Sequence, residues 1–347
     1  MGNTQVGAQI HAAEREHRKL EILTRVNEFP VPLRETIERW KEEDTESFLT
    51  IIEERLIDLL YGIKGNGLDC DRDTHEEVET AIRFFPQVLC ERYWGTHPPI
   101  YAQLAYFKSV SFIPLLARLG IELNQFQKEE RGGLCYRRWN VFRSLVNTDC
   151  RKWYDTNDEY QQRLIDENYV AVLKSLGEMG LLQRQDVQNE DLFWELSLNK
   201  SLPERKFRYL VDFDPSCFYD RRPSTIYKIL FQYDDVEVFR MAFQLGMLHF
   251  PTQVGFLFFL DRHDGCTPFD RACYEYGSDT VTKIVGDVLV ESNDCNNGSD
   301  GEINKMKALI WAATNSNVHL DGVYFLLRRD PGRYCHAISK HVEQQNP

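Results

Sequence analysis

The chain has no Cys-x-x-Cys pair, no run of Lys and Arg, and no apolar stretch longer than Val254 to Leu260. Each absence excludes a class of protein. Nine cysteines, odd in number and scattered, do not form the close pairs of a structural zinc site or the framework of a small disulfide-stapled domain. They are expected to be reduced thiols of an intracellular protein, cytoplasmic or nuclear. A net charge of -13 without a basic cluster supplies no concentrated positive field, so neither nucleic acid nor an anionic membrane is the expected partner. Seven apolar residues cannot cross a bilayer. The opening "MGNTQVGAQIHAAEREHRKL" has no apolar core of signal-peptide length, and Val6 stands where the myristoylation pattern after Gly2 needs Ser or Thr.

Catalytic signatures are missing too: there is no phosphate-binding G-x-x-x-x-G-K-[ST] loop, no G-x-S-x-G elbow, no H-E-x-x-H pair and no kinase set. Cys335 and His336 are neighbours in sequence, which creates no catalytic geometry. The expectation is a protein without catalysis and without a cofactor. The rival expectation is an enzyme or small-ligand-binding protein with a pocket between irregular segments, since a constellation in space need leave no spacing in sequence.

What is present is helical periodicity. Residues 1–65 mix dense charge with apolar residues three and four apart, such as Phe48, Ile51, Ile52, Leu56 and Leu59, which implies amphipathic helices interrupted at Pro30 and Pro32. This charged region is expected either to cap the rest of the chain or to self-associate. Beyond it, helix endings recur about every 33 residues. "LARLGI", "LGEMGL" and "AFQLGM" each place a glycine (Gly120, Gly180, Gly246) as an expected helix terminator. "AIRFFP", "LVDFDP" and "LLRRDP" end instead at Pro86, Pro215 and Pro331. Two short helices precede each ending. That pattern predicts an all-α helix-turn-helix solenoid over residues 66–335, with short hairpin connections and a tail at 336–347.

One stretch identifies the unit. In "DGCTPFDRACYEYGSDTVTKIV", Asp264 and Gly265 suit a tight turn, Thr267 a helix cap and Pro268 the first helical position. Ala272 is small enough for close stacking, Gly277 stops the helix, and Val281, Ile284 and Val285 form a buried face. This resembles the ankyrin repeat, with Asp270 replacing the usual histidine and Cys273 the second alanine. Segments such as "VSFIPLLARLGIELNQF" and "LPERKFRYLV" are similar to divergent ankyrin-type proteins that occur as large paralogous sets in algal genomes. The resemblance implies an ankyrin-type scaffold of about seven or eight units that binds unidentified protein partners on a concave surface. On the clear unit it maps the exposed positions to Arg262, His263, Cys266, Tyr274 and Glu275.

Metal sites are weighed against this. His263, Cys266 and Cys273 fall on a hairpin, a cap and a buried helix position, which do not converge as zinc ligands must. Asp69, Asp71 and Asp73 alternate as a calcium loop begins, but Thr74 replaces the needed glycine and Thr80 the closing glutamate, so a helix cap explains them better. "SNDCNNGSDGE" fails the same test and is expected to be a solvated loop. No metal is expected. The run "VGFLFFL" is expected to be buried on the way into the hairpin.

Overall fold

The computed structural model describes residues 2–62, 67–92, 97–136, 139–147, 159–199, 201–218, 227, 232–260, 265–294 and 328. These residues are mostly helical, with a single two-stranded hairpin among them, and the chain divides into two compact units, Met1–Gln183 and Arg184–Pro347. No helix among the described residues is long and apolar enough to cross a membrane.

The first unit opens with α1 (Gly2–Thr24), α2 (Val31–Trp40) and α3 (Thr45–Tyr61). Pro30 caps α2 and Pro32 lies in its first turn, where a missing N–H costs nothing. Asp44 caps α3 by accepting from the Glu46 and Ser47 N–H groups, and Gly62 ends it in the left-handed conformation. Phe48, Ile52, Leu56 and Leu59 are fully buried while Ile51 is half-buried. Each full burial contributes about 1.5–3 kcal/mol. Next come α4 (His75–Phe84), α5 (Pro99–Ala102) and α6 (Ile113–Glu122). A hairpin of β1 (Cys135–Tyr136) and β2 (Trp139–Asn140) then leads into α7 (Val141–Val146) and α8 (Glu159–Glu178). Of the caps that the sequence allows, Asp73 or Thr74 with Glu76 or Glu77, α4 uses Thr74 and Glu77 in a capping box, and Pro86 follows its end.

The second unit contains α9 (Arg184–Asn189), α10 (Leu192–Ser197), α11 (Glu204–Phe213), α12 (Val236–His249), α13 (Pro268–Tyr276) and α14 (Ser278–Asp294). Thr267 caps α13 in a full capping box. Its partner is Asp270, whose Oδ2 accepts from the Thr267 N–H at 3.1 Å while Thr267 Oγ1 accepts from the Asp270 N–H at 3.0 Å. The residue that departs from the usual pattern thus completes the cap. Ala272, Val281, Ile284 and Val285 are buried. Cys273 is only half-buried, so its reading as a buried position is corrected: Ala272 beside it is the buried one.

Gly120 and Gly246 correct the sequence reading more sharply. Neither terminates a helix; α6 runs through Gly120 to Glu122 and α12 through Gly246 to His249. Each is small because another backbone crosses it. A Cβ on Gly120 would lie 3.0 Å from Gly132 O, and one on Gly246 would lie 3.1 Å from Gly255 Cα. The crossing segments have one backbone design. Arg131, Gly132 and Gly133 have φ of 47°, 67° and 93°, and Val254, Gly255 and Phe256 have 51°, 58° and 58°. Leu134 and Leu257 then return to helical angles. The Leu134 carbonyl accepts from the Val141 N–H (2.9 Å) and the Leu257 carbonyl from the Phe269 N–H (3.1 Å), tying each turn to the start of the next helix. Among the described residues, the same device therefore occurs in each unit. Val254 to Phe258 are buried, as expected for "VGFLFFL".

Polar contacts between elements join segments a few dozen residues apart. On α4 and α6, Glu79 and Arg83 meet Arg118 and Glu122 in a four-membered network, with Arg83 to Glu122 at 2.7 Å and Arg118 to Glu79 at 2.6 Å, both 39 residues apart. In the second unit, His249 reaches Asp212 at 2.9 Å, 37 residues back. Tyrosines repeat the theme with main-chain acceptors: Tyr233 Oη donates to the Leu196 carbonyl (3.1 Å) and Tyr276 Oη to the Tyr233 carbonyl (2.9 Å).

The crossing and the ion-pair network can each be tested. Gly132→Ala would place Cβ 2.0 Å from the Ala117 carbonyl oxygen at a positive φ, so it should cost about 3 kcal/mol or more. Gly180→Ala, with the same sign of φ and nothing within 4 Å, should cost about 1–2 kcal/mol. Equal losses in urea denaturation would remove the crossing as the cause. In the ion-pair network, partial burial raises the Glu79 pKa, but hydrogen bonds and charge from Arg83 and Arg118 outweigh it and hold the carboxyl below its ordinary 4.5. A depressed carboxylate stabilises the fold above its unfolded pKa and loses that contribution as pH falls through the folded one. Glu79→Gln should therefore be less stable than wild type at neutral pH, with the gap closing only below pH 4.5. A gap unchanged into acid would refute the ionic contribution.

Candidate partner-binding surface and cleft

Several side chains of the first unit converge beside the hairpin. Tyr136 and Trp139 are directly paired across it, which puts their side chains on one face. The Trp139 ring lies 4.8 Å from Tyr101 and 5.4 Å from His97, and His97 lies 5.1 Å from Tyr101 and 5.9 Å from Tyr61, measured between centroids. These four rings are half-buried. Tyr61 Oη is within hydrogen-bond distance of the Glu91 (2.8 Å) and His97 (2.6 Å) carbonyls, and Ser144 Oγ donates to Tyr101 Oη at 3.1 Å. The rings pack on one another and leave an aromatic strip with a polar margin.

On the Tyr136 side the strip borders an open cleft of about 530 Å³. Cys90 and Arg92 reach it from beyond the 3-10 turn that follows α4. Asn124 to Gln127 line it beyond α6, and Glu130 and Tyr136 close it. The Arg92 guanidinium stacks over the Tyr136 ring at 5.0 Å, and Phe126 meets the same ring edge-on at 6.3 Å. Gln125 is held at both ends of its amide: Nε2 donates to the Leu123 carbonyl at 2.9 Å and Oε1 faces the Cys90 thiol at 3.7 Å. The Glu130 carboxylate accepts from the Gln127 N–H at 2.8 Å.

A second groove, of about 380 Å³, runs along α4, α6 and α8 past His75, Leu115, Arg118, Val172 and Met179. Two of its polar groups serve the fold: Arg118 belongs to the ion-pair network, and His75 pairs with the Ser111 carbonyl at 3.1 Å.

Of the residues singled out from the sequence, Arg262 and His263 lie outside the described residues, as does the loop "SNDCNNGSDGE" from residue 295 onward. Cys266, Tyr274 and Glu275 are exposed, Tyr274 at 86%. Cys266 immediately precedes the Thr267 cap, as Trp139 immediately precedes the Asn140 cap of α7. The resemblance maps only onto the clear unit, so the corresponding position in the first unit, with its aromatic neighbours, escapes it. The signal that could have found it is the order of a helix glycine, a turn glycine and a helix cap, Gly120, Gly132 and Asn140 against Gly246, Gly255 and Thr267.

Among the described residues, one group of possible metal ligands gathers: Asp69, Cys70 and Asp71. A cation already serves it. Lys108 Nζ lies 3.4 Å from Asp69 and 2.8 Å from Asp71, and the hydrogen bond that it donates to Asp71 leads in pushing the Lys108 pKa up. Asp73, the third carboxylate of the alternation, is turned inward, accepting from the Asp69 N–H (3.0 Å) and from Arg72. The calcium-like spacing is thus a lysine-neutralised loop leading to a helix cap.

Comparison with known proteins finds no matching family model, no similar curated protein and no similar solved structure.

The thiols test this geometry. Cys70, Cys90 and Cys266 are exposed and should be labelled by iodoacetamide in the native protein, with Cys70 slower than Cys90 because burial and the nearby Asp71 and Asp69 raise its pKa. Cys217 is buried, and burial with nearby Asp214 pushes its thiol well up, so it should label only on unfolding. Native labelling of Cys217, read by mass spectrometry, would contradict the packing around it.

Proposed function

We propose that this chain is a divergent ankyrin-type repeat array that acts as an intracellular protein-binding scaffold without catalysis. The observation that carries the reading is the recurrence, in both units, of one backbone turn crossing a helix at glycine and leading to a capped helix. A repeated device carrying different side chains is what a repeat array requires, since the backbone does the stacking and the side chains are released for recognition. The capping box at Thr267 and the buried Ala272 support it from the ankyrin-like unit. So do the polar links between neighbouring segments, which fit an array whose units contact the next in line.

On this reading the partner contacts the positions around each hairpin. In the clear unit these are Arg262, His263, Cys266, Tyr274 and Glu275; in the first unit they are Trp139 with Tyr101 and Arg92. Tyrosine, tryptophan and arginine are the residue types that dominate binding energy at interfaces. The N-terminal helices serve as a cap or as a self-association surface, and the rival ligand-binding reading draws its support from the cleft at Arg92.

Affinity capture with the full chain, followed by mass spectrometry, tests the proposal. Tyr274→Ala combined with Glu275→Ala, and separately Trp139→Ala, should each reduce recovery of at least one specific partner by about tenfold, as loss of an anchoring aromatic does. Unchanged recovery with both variants, at unchanged helicity by circular dichroism, would rule out these surfaces. No partner at all would count against the scaffold reading itself.

A further inference from the structure

The cleft beside Tyr136 has an excess of unused hydrogen-bond donors. Arg92 is exposed, and its one interaction with the described residues is its stack on the Tyr136 ring. The guanidinium over the ring pairs with no carboxylate among the described residues, and its paired N–H groups suit two parallel hydrogen bonds to a carboxylate. The Asn124 amide makes no side-chain hydrogen bond to a described residue. The Gln127 main-chain carbonyl accepts from the Glu130 N–H at 3.0 Å, and the Gln127 NH₂ group donates to no described residue. Two of the acceptors are engaged: Gln125 Oε1 faces the Cys90 thiol, and one Glu130 oxygen accepts from the Gln127 N–H. Phe126 and Tyr136 supply apolar walls.

We propose that this cleft is a carboxylate-binding subsite that receives an acidic side chain of a partner polypeptide, gripped by Arg92 and supported by the Asn124 and Gln127 amides. The inference rests on the protein-binding reading above and gives the chemistry of one contact within it. The cleft is open along the loops, which suits a protruding side chain with its backbone outside, and the aromatic strip of Trp139, Tyr101 and His97 continues beyond Tyr136 to take the flanking residues. The Glu130 carboxylate at one margin disfavours a multiply charged anion such as phosphate more than it does a singly charged carboxylate.

The test uses the full-length protein and a terminally blocked, fluorescein-labelled peptide of alternating glutamate and alanine, with the glutamine counterpart beside it. Fluorescence anisotropy at low salt should show the glutamate peptide binding at least about tenfold tighter than the glutamine one. R92Q should abolish that preference, and R92K should recover only part of it, because an ammonium cannot make the paired contact. R208Q, on α11 in the other unit, should leave it intact. Excess acetate should compete more effectively than inorganic phosphate. Equal binding of the two peptides, a preference that survives R92Q, or stronger competition by phosphate would each overturn the subsite. Those failures leave the scaffold reading standing, because that reading falls on the capture experiment, whose variants do not touch Arg92.

Discussion

At the two helix crossings, backbone lies against backbone. Gly132 lies against the Ala117 carbonyl, and Gly255 against Gly246, at distances that leave no room for a methyl group. The path of the chain after each crossing depends on it. Three consecutive positive φ values at the crossing turn the chain back, and a leucine carbonyl then anchors the next helix. In the first unit two of the three positions are glycine. In the second, Val254 and Phe256 hold the same conformation at about 1–3 kcal/mol each, offset by the burial of both side chains. One conformation is thus reached by two routes, conformational ease in one unit and apolar burial in the other.

Around this frame the helices are joined by contacts whose chemistry matches their exposure. On the half-exposed flank of α4 and α6, two arginines and two glutamates close a network that gains from mutual support more than an isolated surface pair would. Deeper, the links are tyrosine hydroxyls on main-chain carbonyls, as at Tyr233 and Tyr276. Burial pushes the Tyr276 hydroxyl up to about 12, which keeps it a neutral donor at any physiological pH.

Much of this is legible in the sequence, and the failures share one cause. Helix caps at Thr74 and Thr267, the proline stops at Pro86 and Pro215, and the buried faces of α3 and α14 all follow from local chemistry. Gly120 and Gly246 read as terminators because a glycine's local meaning and its tertiary meaning look alike; only the distant Gly132 and Gly255 distinguish them. The Arg92 cleft is illegible for the same reason, being assembled from three segments with no shared spacing. The acidic alternation at Asp69 to Asp73 points to a cation, and the structure supplies one from within the chain at Lys108.

The neighbour-to-neighbour linkage has a mechanical consequence. Where each segment is fastened mainly to those a few dozen residues away, tension on the chain loads one fastening at a time. Such a unit should lengthen in small steps, each closing again when the load drops.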